Sequence, residues 1–120
     1  MSRQRKKISE RIDKNKLDID FIKQLCKSGA LRWTNHIAMR LLQRSISMDN
    51  VECAILNGEI IEPYPADYPH PSCLILGLTA DNKNLHVVCG ISETELYLIT
   101  AYYPNPNEWS EDLKIRKEPK

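Results

Sequence analysis

The sequence lacks most of the short motifs by which cofactor sites and common catalytic sites are recognised. Its four cysteines form no Cys-x-x-Cys pair, and the His-Glu-x-x-His and other Cys/His spacings typical of zinc sites are absent. A glycine-rich phosphate loop and a Gly-x-Ser-x-Gly nucleophile elbow are absent as well. We therefore expect no metal, nucleotide or other cofactor, and we exclude hydrolases built on that elbow.

Long apolar segments are also missing. No apolar run approaches the roughly 18 residues that a membrane-spanning helix needs. The start of the chain, Met1-Ser-Arg-Gln-Arg-Lys-Lys7, is charged and has no apolar stretch behind it, unlike a secretory signal. These features predict a cytoplasmic protein that does not contact membranes. Each of the four cysteines lies within an apolar segment: Cys26, Cys53, Cys73 and Cys89. We therefore predict free and mostly buried thiols rather than disulfides.

The charges that are present are distributed unevenly. The 120 residues carry a net +1, but residues 1–48 hold twelve Lys and Arg against four acids, a net +8. Residues 49–113 hold only Lys83 against eleven acids, a net −10, and the last seven residues return to +3. A basic first part can attract polyanions although the total charge is near zero, so we expect any nucleic acid to meet the N-terminal helices. A merely solvated basic surface is the alternative.

The spacing of apolar residues predicts three helices followed by four strands. The helices begin at Asp18 or Asp20, at Thr34 and at Ser47, all of which are good N-cap residues. We expect the third helix to end at Gly58 in a left-handed conformation. Beyond it the period becomes alternating, and the predicted strands are 59–64, 72–79, 85–91 and 96–103.

This order of elements indicates an α+β domain, with helices first and a meander sheet after them. We place the domain at residues 17–113. Residues 1–16 are predicted to be a basic arm and residues 114–120 a basic tail. Trp109 is expected to fold back on the domain as an apolar clasp.

One side of the second predicted helix combines three side chains suited to phosphate. His36, Arg40 and Arg44 are four residues apart, so they stack along the helix on the side away from its apolar stripe. The planar guanidinium matches phosphate oxygens, and imidazole can exchange a proton near neutral pH. The alternatives are a solvated basic surface, or Arg40 and Arg44 as buried partners of Glu59 or Glu62.

A second polar group is expected on the sheet. Alternation puts His86 and Cys89 on opposite faces of their strand, and it puts Thr100 and Tyr102 on one face together with the two leucines that precede them. If His86 shares the face of Thr100 and Tyr102, a polar patch forms. The alternative is a structural histidine beside core tyrosines. His70, which lies between prolines, is expected to be exposed and without a role.

Five segments and one tryptophan occur in a recognisable order: Trp33-Thr-Asn-His-Ile-Ala-Met-Arg-Leu-Leu-Gln-Arg-Ser-Ile46, Asn57-Gly-Glu-Ile-Ile-Glu-Pro-Tyr-Pro65, Pro71-Ser-Cys-Leu-Ile-Leu-Gly77, Leu85-His-Val-Val88, Ile99-Thr-Ala-Tyr-Tyr-Pro-Asn-Pro106 and Trp109. They resemble the bacterial family catalogued as domain of unknown function 4258, over roughly residues 31–113. Two positions depart from that family. Ile37 stands where Ala is usual, and Ser45 stands where glycine is common.

The resemblance implies a distant relationship to the RelE-type and barnase-type small ribonucleases. It implies N-terminal helices packed on a four-stranded, mainly antiparallel, curved sheet, and a cognate antitoxin protein as a partner. The recurrent polar residues of the family correspond here to His36, Arg40, Arg44, His86, Thr100 and Tyr102.

These residues suit metal-free cleavage of RNA, which needs a base for the 2′-hydroxyl, an acid for the leaving oxygen and cations for the phosphate. The resemblance, together with these residues, thus predicts the toxin of a type II toxin–antitoxin system acting as an endoribonuclease on cellular RNA. His36 and His86 would divide the acid and base roles, Arg40 and Arg44 would bind the phosphate, and Thr100 or Tyr102 would fix it.

Two other functions remain open at this point. One is a non-catalytic module that binds nucleic acid or protein in a larger assembly, with structural histidines. The other is an enzyme that uses Cys89 as its nucleophile.

Overall fold

The computed structural model, which describes residues 17–117, contains three helices and a five-stranded sheet, and the first strand lies between the first two helices. The helices are α1 (Ile19–Lys27), α2 (Asn35–Gln43) and α3 (Met48–Asn57). The strands are β1 (Leu31–Arg32), β2 (Glu59–Tyr64), β3 (Ser72–Leu78), β4 (Asn84–Ile91) and β5 (Leu96–Tyr102). The predicted α+β class is confirmed. The predicted basic arm, residues 1–16, and residues 118–120 of the predicted tail lie outside the described residues.

Each helix begins at a side chain that caps its free backbone N–H groups. Asp18 accepts a hydrogen bond from the backbone of Asp20, Thr34 from Ile37 at 3.1 Å, and Ser47 from Asn50 at 3.0 Å. The predicted helix starts are therefore confirmed, with Asp18 rather than Asp20 as the first cap.

The sheet has the order β1-β5-β4-β3-β2, and its last four strands form an antiparallel meander. β1 runs parallel to β5 and pairs only Leu31 with Leu96 and Arg32 with Tyr97. The sequence pattern does not reveal this strand because two residues are too few to show a period. The outer edge of β5 is consequently paired at its start and open farther along.

The helices cover one face of the sheet, and the core lies between the two layers. α3 packs on β3 and β4, α1 packs on α3, and α2 lies beside β5. The fully buried core side chains come from both layers: Ile22, Val51 and Ile55 from the helices, and Ile75, Val87, Ile91 and Leu96 from the strands. The described cysteines are free thiols, three of them buried, as predicted.

Two glycines allow α3 to lie close to the sheet. A Cβ on Gly77 would lie 1.9 Å from the carbonyl oxygen of Ala54, and one on Gly58 would lie 2.5 Å from the same oxygen. Gly58 has an extended backbone, with φ of −94°. The expected left-handed conformation at Gly58 is thus wrong, and close packing against Ala54 explains the glycine instead.

A bulge in β5 changes which of its side chains share a face. Val88 pairs with Thr100, whereas the next residue of β4, Cys89, pairs with Leu98, so Ile99 is the extra residue. Leu98 therefore lies in the core, while Thr100 faces away from it. The prediction that the leucines of β5 share a face with Thr100 and Tyr102 is wrong, because strict alternation fails at the bulge.

Within residues 17–117, no helix is both long and apolar enough to cross a bilayer.

The close approach of α3 to β3 predicts a strong effect of a single methyl group. Gly77→Ala should lower the free energy of unfolding by about 3 kcal/mol or more, because backbone atoms rather than a flexible side chain must move. Urea denaturation measures this loss. Gly90→Ala is the matched control, since its added Cβ comes no closer than 3.7 Å to another atom. Equal stability of the two variants would contradict this account of the packing.

Candidate functional site

The sheet face opposite the helices carries three cross-strand rows of side chains. The register between neighbouring strands defines the rows as Tyr102-His86-Leu76-Glu59, Thr100-Val88-Leu74-Glu62 and Tyr97-Gly90-Ser72-Tyr64. Because neighbouring strands lie about 4.8 Å apart, each row is roughly 14 Å long. We call this surface the open face.

The first row is covered by residues 104–117, which we call the clasp. Trp109 is only 3% exposed, and its ring packs edge-on against His86 with 4.5 Å between ring centroids. The Lys114 ammonium lies 2.8 Å from the Glu59 carboxylate at the other end of the row. The predicted Trp109 clasp is confirmed. Within residues 114–117, the described part of the predicted tail, Lys114 and Arg116 form ion pairs with β2.

His86 is fully buried and both of its ring nitrogens have partners. Nε2 lies 2.9 Å from the carbonyl oxygen of Leu113, and Nδ1 lies 3.3 Å from the Tyr102 hydroxyl. A carbonyl can only accept, so we assign the proton to Nε2, and Nδ1 then accepts from Tyr102. Burial lowers the pKa of His86, which favours this neutral form.

The second row ends on the β2 side in an ion pair. Arg116 donates from Nε and Nη2 to the Glu62 carboxylate at 3.0–3.2 Å, and its guanidinium lies 4.7 Å from the centre of the Trp109 ring. Burial alone would raise the pKa of Glu62, but hydrogen bonds from Tyr64 and Arg116 lower it overall. The clasp is thereby fastened to β2.

The acids of β2 are thus paired with the clasp and not with α2. Glu59 binds Lys114 and Glu62 binds Arg116. The alternative prediction, in which Arg40 or Arg44 is the buried partner of Glu59 or Glu62, is therefore wrong.

At the β5 end of the second row, Thr100 is in contact with Arg44. Its Nη1 donates to the Thr100 hydroxyl at 3.1 Å and to the carbonyl oxygen of Ala101 at 2.8 Å. This contact forms where β5 has no strand on its outer side, since β1 pairs only with Leu96 and Tyr97. Arg44 therefore connects the basic side of α2 with the open face.

His36 and Arg40 lie on the same side of α2 as Arg44 and are exposed. We call His36, Arg40 and Arg44 the arginine row, which is distinct from the three rows of the open face. At about 1.5 Å of rise per residue, the arginine row is about 12 Å long. The ion pairs among residues 17–117 include neither arginine of this row. The structure thus brings Arg44 to Thr100 and His86 to Tyr102, leaves His36 and Arg40 exposed, and buries His86.

The β5 end of the third row, Tyr97, is in contact with the proline-rich loop of residues 65–71. The His70 ring stacks on the Tyr97 ring, with 4.9 Å between centroids and 8° between planes. His70 is half-buried, so the expectation that it is exposed is wrong. A cleft of about 380 Å³ opens here, lined by Asp67, Tyr68, Pro69, His70, Gly90, Tyr97 and Ile99.

Cys89 lies on the core face of β4, opposite His86, and is fully buried. The neighbouring Cys73 thiol and burial raise the pKa of Cys89 well above its usual value. A nucleophilic cysteine needs the opposite, a stabilised and accessible thiolate. The structure thus contradicts the interpretation of Cys89 as a nucleophile.

The sequence prediction missed the polar residues at the margins of the open face: Glu62, Tyr64, His70, Tyr97 and Arg116. Alternation along β2 does place Glu62 and Tyr64 on one face, so this pair could have been found. The Glu62–Arg116 contact spans 54 residues of sequence, and no local pattern reports it. Among residues 17–117, no group of three or more His, Cys, Asp or Glu is arranged to hold a metal ion.

Residues 33–103 match the family model described as Domain of unknown function (DUF4258). This match spans more than half of the chain, and the chain belongs to that family. No curated protein matches it, and no solved structure does.

The burial of His86 predicts a pH dependence of stability. Because the folded pKa of His86 is lowered, the unfolded chain binds a proton more readily below the ordinary pKa of about 6.5. The free energy of unfolding should therefore fall as the pH drops from 7.5 to 5.5, by at most about 1.4 kcal/mol per pH unit. Urea denaturation followed by tryptophan fluorescence measures this slope.

His86→Gln should lose most of the slope, whatever its stability at pH 7.5. His36→Gln, which changes an exposed imidazole, is the matched control and should retain it. An unchanged slope in His86→Gln would show that another group causes the pH dependence.

Proposed function

We propose that this member of the DUF4258 family is a metal-independent endoribonuclease, the toxin of a type II toxin–antitoxin pair. RNA phosphates bind along the His36, Arg40 and Arg44 side of α2 and over the Thr100 end of the open face. The observation that carries the proposal is the Arg44 contact with Thr100, because it joins the basic side of α2 to the polar side of the sheet. The toxin assignment rests on the resemblance of the family to RelE-type ribonucleases.

The charge of Arg44 supports a phosphate at this position. Both of its hydrogen-bond acceptors, the Thr100 hydroxyl and the Ala101 carbonyl, are neutral, so its positive charge is not cancelled. Only one of its terminal nitrogens, Nη1, makes these contacts. Guanidinium N–H groups that remain available form strong bonds to phosphate oxygens.

Arg40 adds a second cation one helical turn away. Since it is exposed and forms no ion pair with a described acid, a phosphate need not displace a carboxylate to reach it. The two arginines together stabilise the negative charge that builds up on the crowded phosphate in the transition state.

His36 is the proton acceptor in the proposed reaction. Its neutral imidazole takes the proton of the 2′-hydroxyl, and the 2′-oxygen forms a bond to the adjacent phosphorus. The bond from phosphorus to the 5′-oxygen breaks, and that oxygen leaves with a proton from water. The products are a 2′,3′-cyclic phosphate and a 5′-hydroxyl end, and the imidazolium returns its proton to solvent.

His86 takes a different role from the one predicted from sequence. Its buried ring has no free nitrogen, so it is a positioning residue for Tyr102 rather than a proton donor. The Tyr102 hydroxyl donates to His86, and burial raises the pKa of Tyr102 further above neutral pH.

A non-catalytic module that binds RNA is the second candidate function. The burial of His86 favours this binding module. Only His36 is then an exposed imidazole at the candidate site, whereas the predicted reaction divides the acid and base roles between two histidines. Such a module would use the same arginines but would not cut the bound strand.

The first test is cleavage of cellular RNA by the purified full-length chain in the presence of EDTA. We expect new 5′-hydroxyl ends, and we expect His36→Ala to lower the cleavage rate by about 10²- to 10⁴-fold, which is the usual contribution of a positioned acid–base group. RNA binding should persist in this variant.

Arg32→Ala is the matched control for this test, since Arg32 is exposed, lies outside the row and pairs with Glu95. It should cleave at the wild-type rate. Binding of RNA without cleavage by the wild-type chain would support the binding module, and equal cleavage by wild type and His36→Ala would reject His36 as the base.

A further inference from the structure

The loop of residues 65–71 is held at Asp67 and at Pro71, and it leaves one aromatic ring uncovered between these two residues. The Ser72 hydroxyl donates to the Asp67 carboxylate, and the backbone N–H of Ile91 donates to the Pro71 carbonyl at 2.9 Å. Prolines at three of its seven positions restrict the backbone further. Tyr68 nevertheless remains 94% exposed.

Three rings belong to the lining of the cleft beside this loop: Tyr68, His70 and Tyr97. The rings of His70 and Tyr97 are stacked in parallel. Gly90 also belongs to the lining, and a Cβ there would lie 3.7–3.9 Å from atoms of Pro71, His70 and Ile99. Flat rings around a space of this kind match the π-face of a nucleobase, and stacking on such rings accepts any base.

The cleft also contains a group that can distinguish bases. Asp67 belongs to its lining, and the Ser72 hydroxyl occupies one oxygen of its carboxylate. The other oxygen can only accept hydrogen bonds. Adenine and cytosine each carry an exocyclic amino group that can donate to it. Uracil has no amino group, and its ring N3–H lies between two carbonyl oxygens that repel a carboxylate.

The cleft lies close enough to the arginine row for neighbouring parts of one RNA strand to reach both. Tyr97 and Thr100 are on the same side of β5, three residues apart, which corresponds to roughly 10 Å along a strand. A strand whose phosphate contacts Arg44 and Thr100 can therefore place a neighbouring base in the cleft.

We propose that the cleft between residues 65–71 and β5 binds one unpaired nucleobase of the RNA and prefers a base with an amino group over uracil. This inference rests on the proposed function for the identity of the ligand. It adds the substrate class, single-stranded RNA with such a base beside the bound phosphate.

The test measures binding of the full-length chain to fluorescent 2′-deoxy hexamers of adenine, cytosine or uracil, which lack the attacking 2′-hydroxyl and stay intact. The wild type should bind the adenine and cytosine hexamers more tightly than the uracil hexamer. Tyr68→Ala and Tyr97→Leu should weaken binding by about 5- to 100-fold through lost stacking, with an unchanged salt dependence. Tyr68→Phe is the matched control and should bind as the wild type does.

Two further variants separate the cleft from the arginine row. Asp67→Asn should reduce the preference over uracil. Arg44→Ala should weaken all three hexamers alike and lower the slope of log K against log salt by about 0.7, the amount for one phosphate contact on a single strand. Tyr68 is exposed, so its variants test the cleft without disturbing the fold.

Equal binding of the three hexamers by the wild type, or unchanged binding by Tyr68→Ala and Tyr97→Leu, would overturn the nucleobase site even if Arg44→Ala behaves as expected. An unchanged salt slope in Arg44→Ala, with weakened binding in the two tyrosine variants, would overturn the arginine row and support the cleft. Failure of all hexamers to bind would overturn both.

Discussion

The central strands β3 and β4 are buried on both faces, and the rest of the structure follows from the need to cover each face. On the open face Leu74 is as fully buried as Ile75 and Val87 are on the core face, and Leu76 is only 9% exposed. The helices cover the core face, and close contact there requires glycine opposite Ala54. The clasp covers the open face at the first row and along the β2 side. The candidate site lies on the β5 side and at the loop end, away from the contacts that Trp109 and Arg116 of the clasp make with the sheet.

Features that depend on neighbours along the chain could be predicted from the sequence. Caps at Thr34 and Ser47 act on backbone groups three residues away, and Trp109 follows a proline-rich stop that turns the chain back. Ser45 shows the same local logic. It has a φ of +60°, a conformation for which glycine is suited, and this agrees with the glycine that the family resemblance implies at this position.

Sequence reasoning failed where structure depends on register or on distant partners. The bulge at Ile99 reassigns the faces of β5, and nothing in the alternating pattern shows where a strand gains an extra residue. The contact of Arg44 with Thr100 spans 56 positions of sequence. For the candidate site, residue types and spacing were sufficient to select Arg44, Thr100, His86 and Tyr102. Their pairing, and the burial that separates His86 from His36, required the fold.

Arg44 contacts one end of the second row and Arg116 contacts the other. The difference in their hydrogen-bond partners explains why the β5 end is suited to a polyanion. Arg116 is bound by both oxygens of Glu62 and lies over Trp109, so its charge is neutralised and its side chain serves to fasten the clasp. Arg44 is held by a hydroxyl and a carbonyl, which fix its position without cancelling its charge. A phosphate at the Glu62 end would meet a satisfied ion pair and a carboxylate. At the Thr100 end it would meet an oriented, uncompensated guanidinium with Arg40 beside it. The open face is therefore polarised along its second row, and the uncompensated positive charge lies at the Thr100 end.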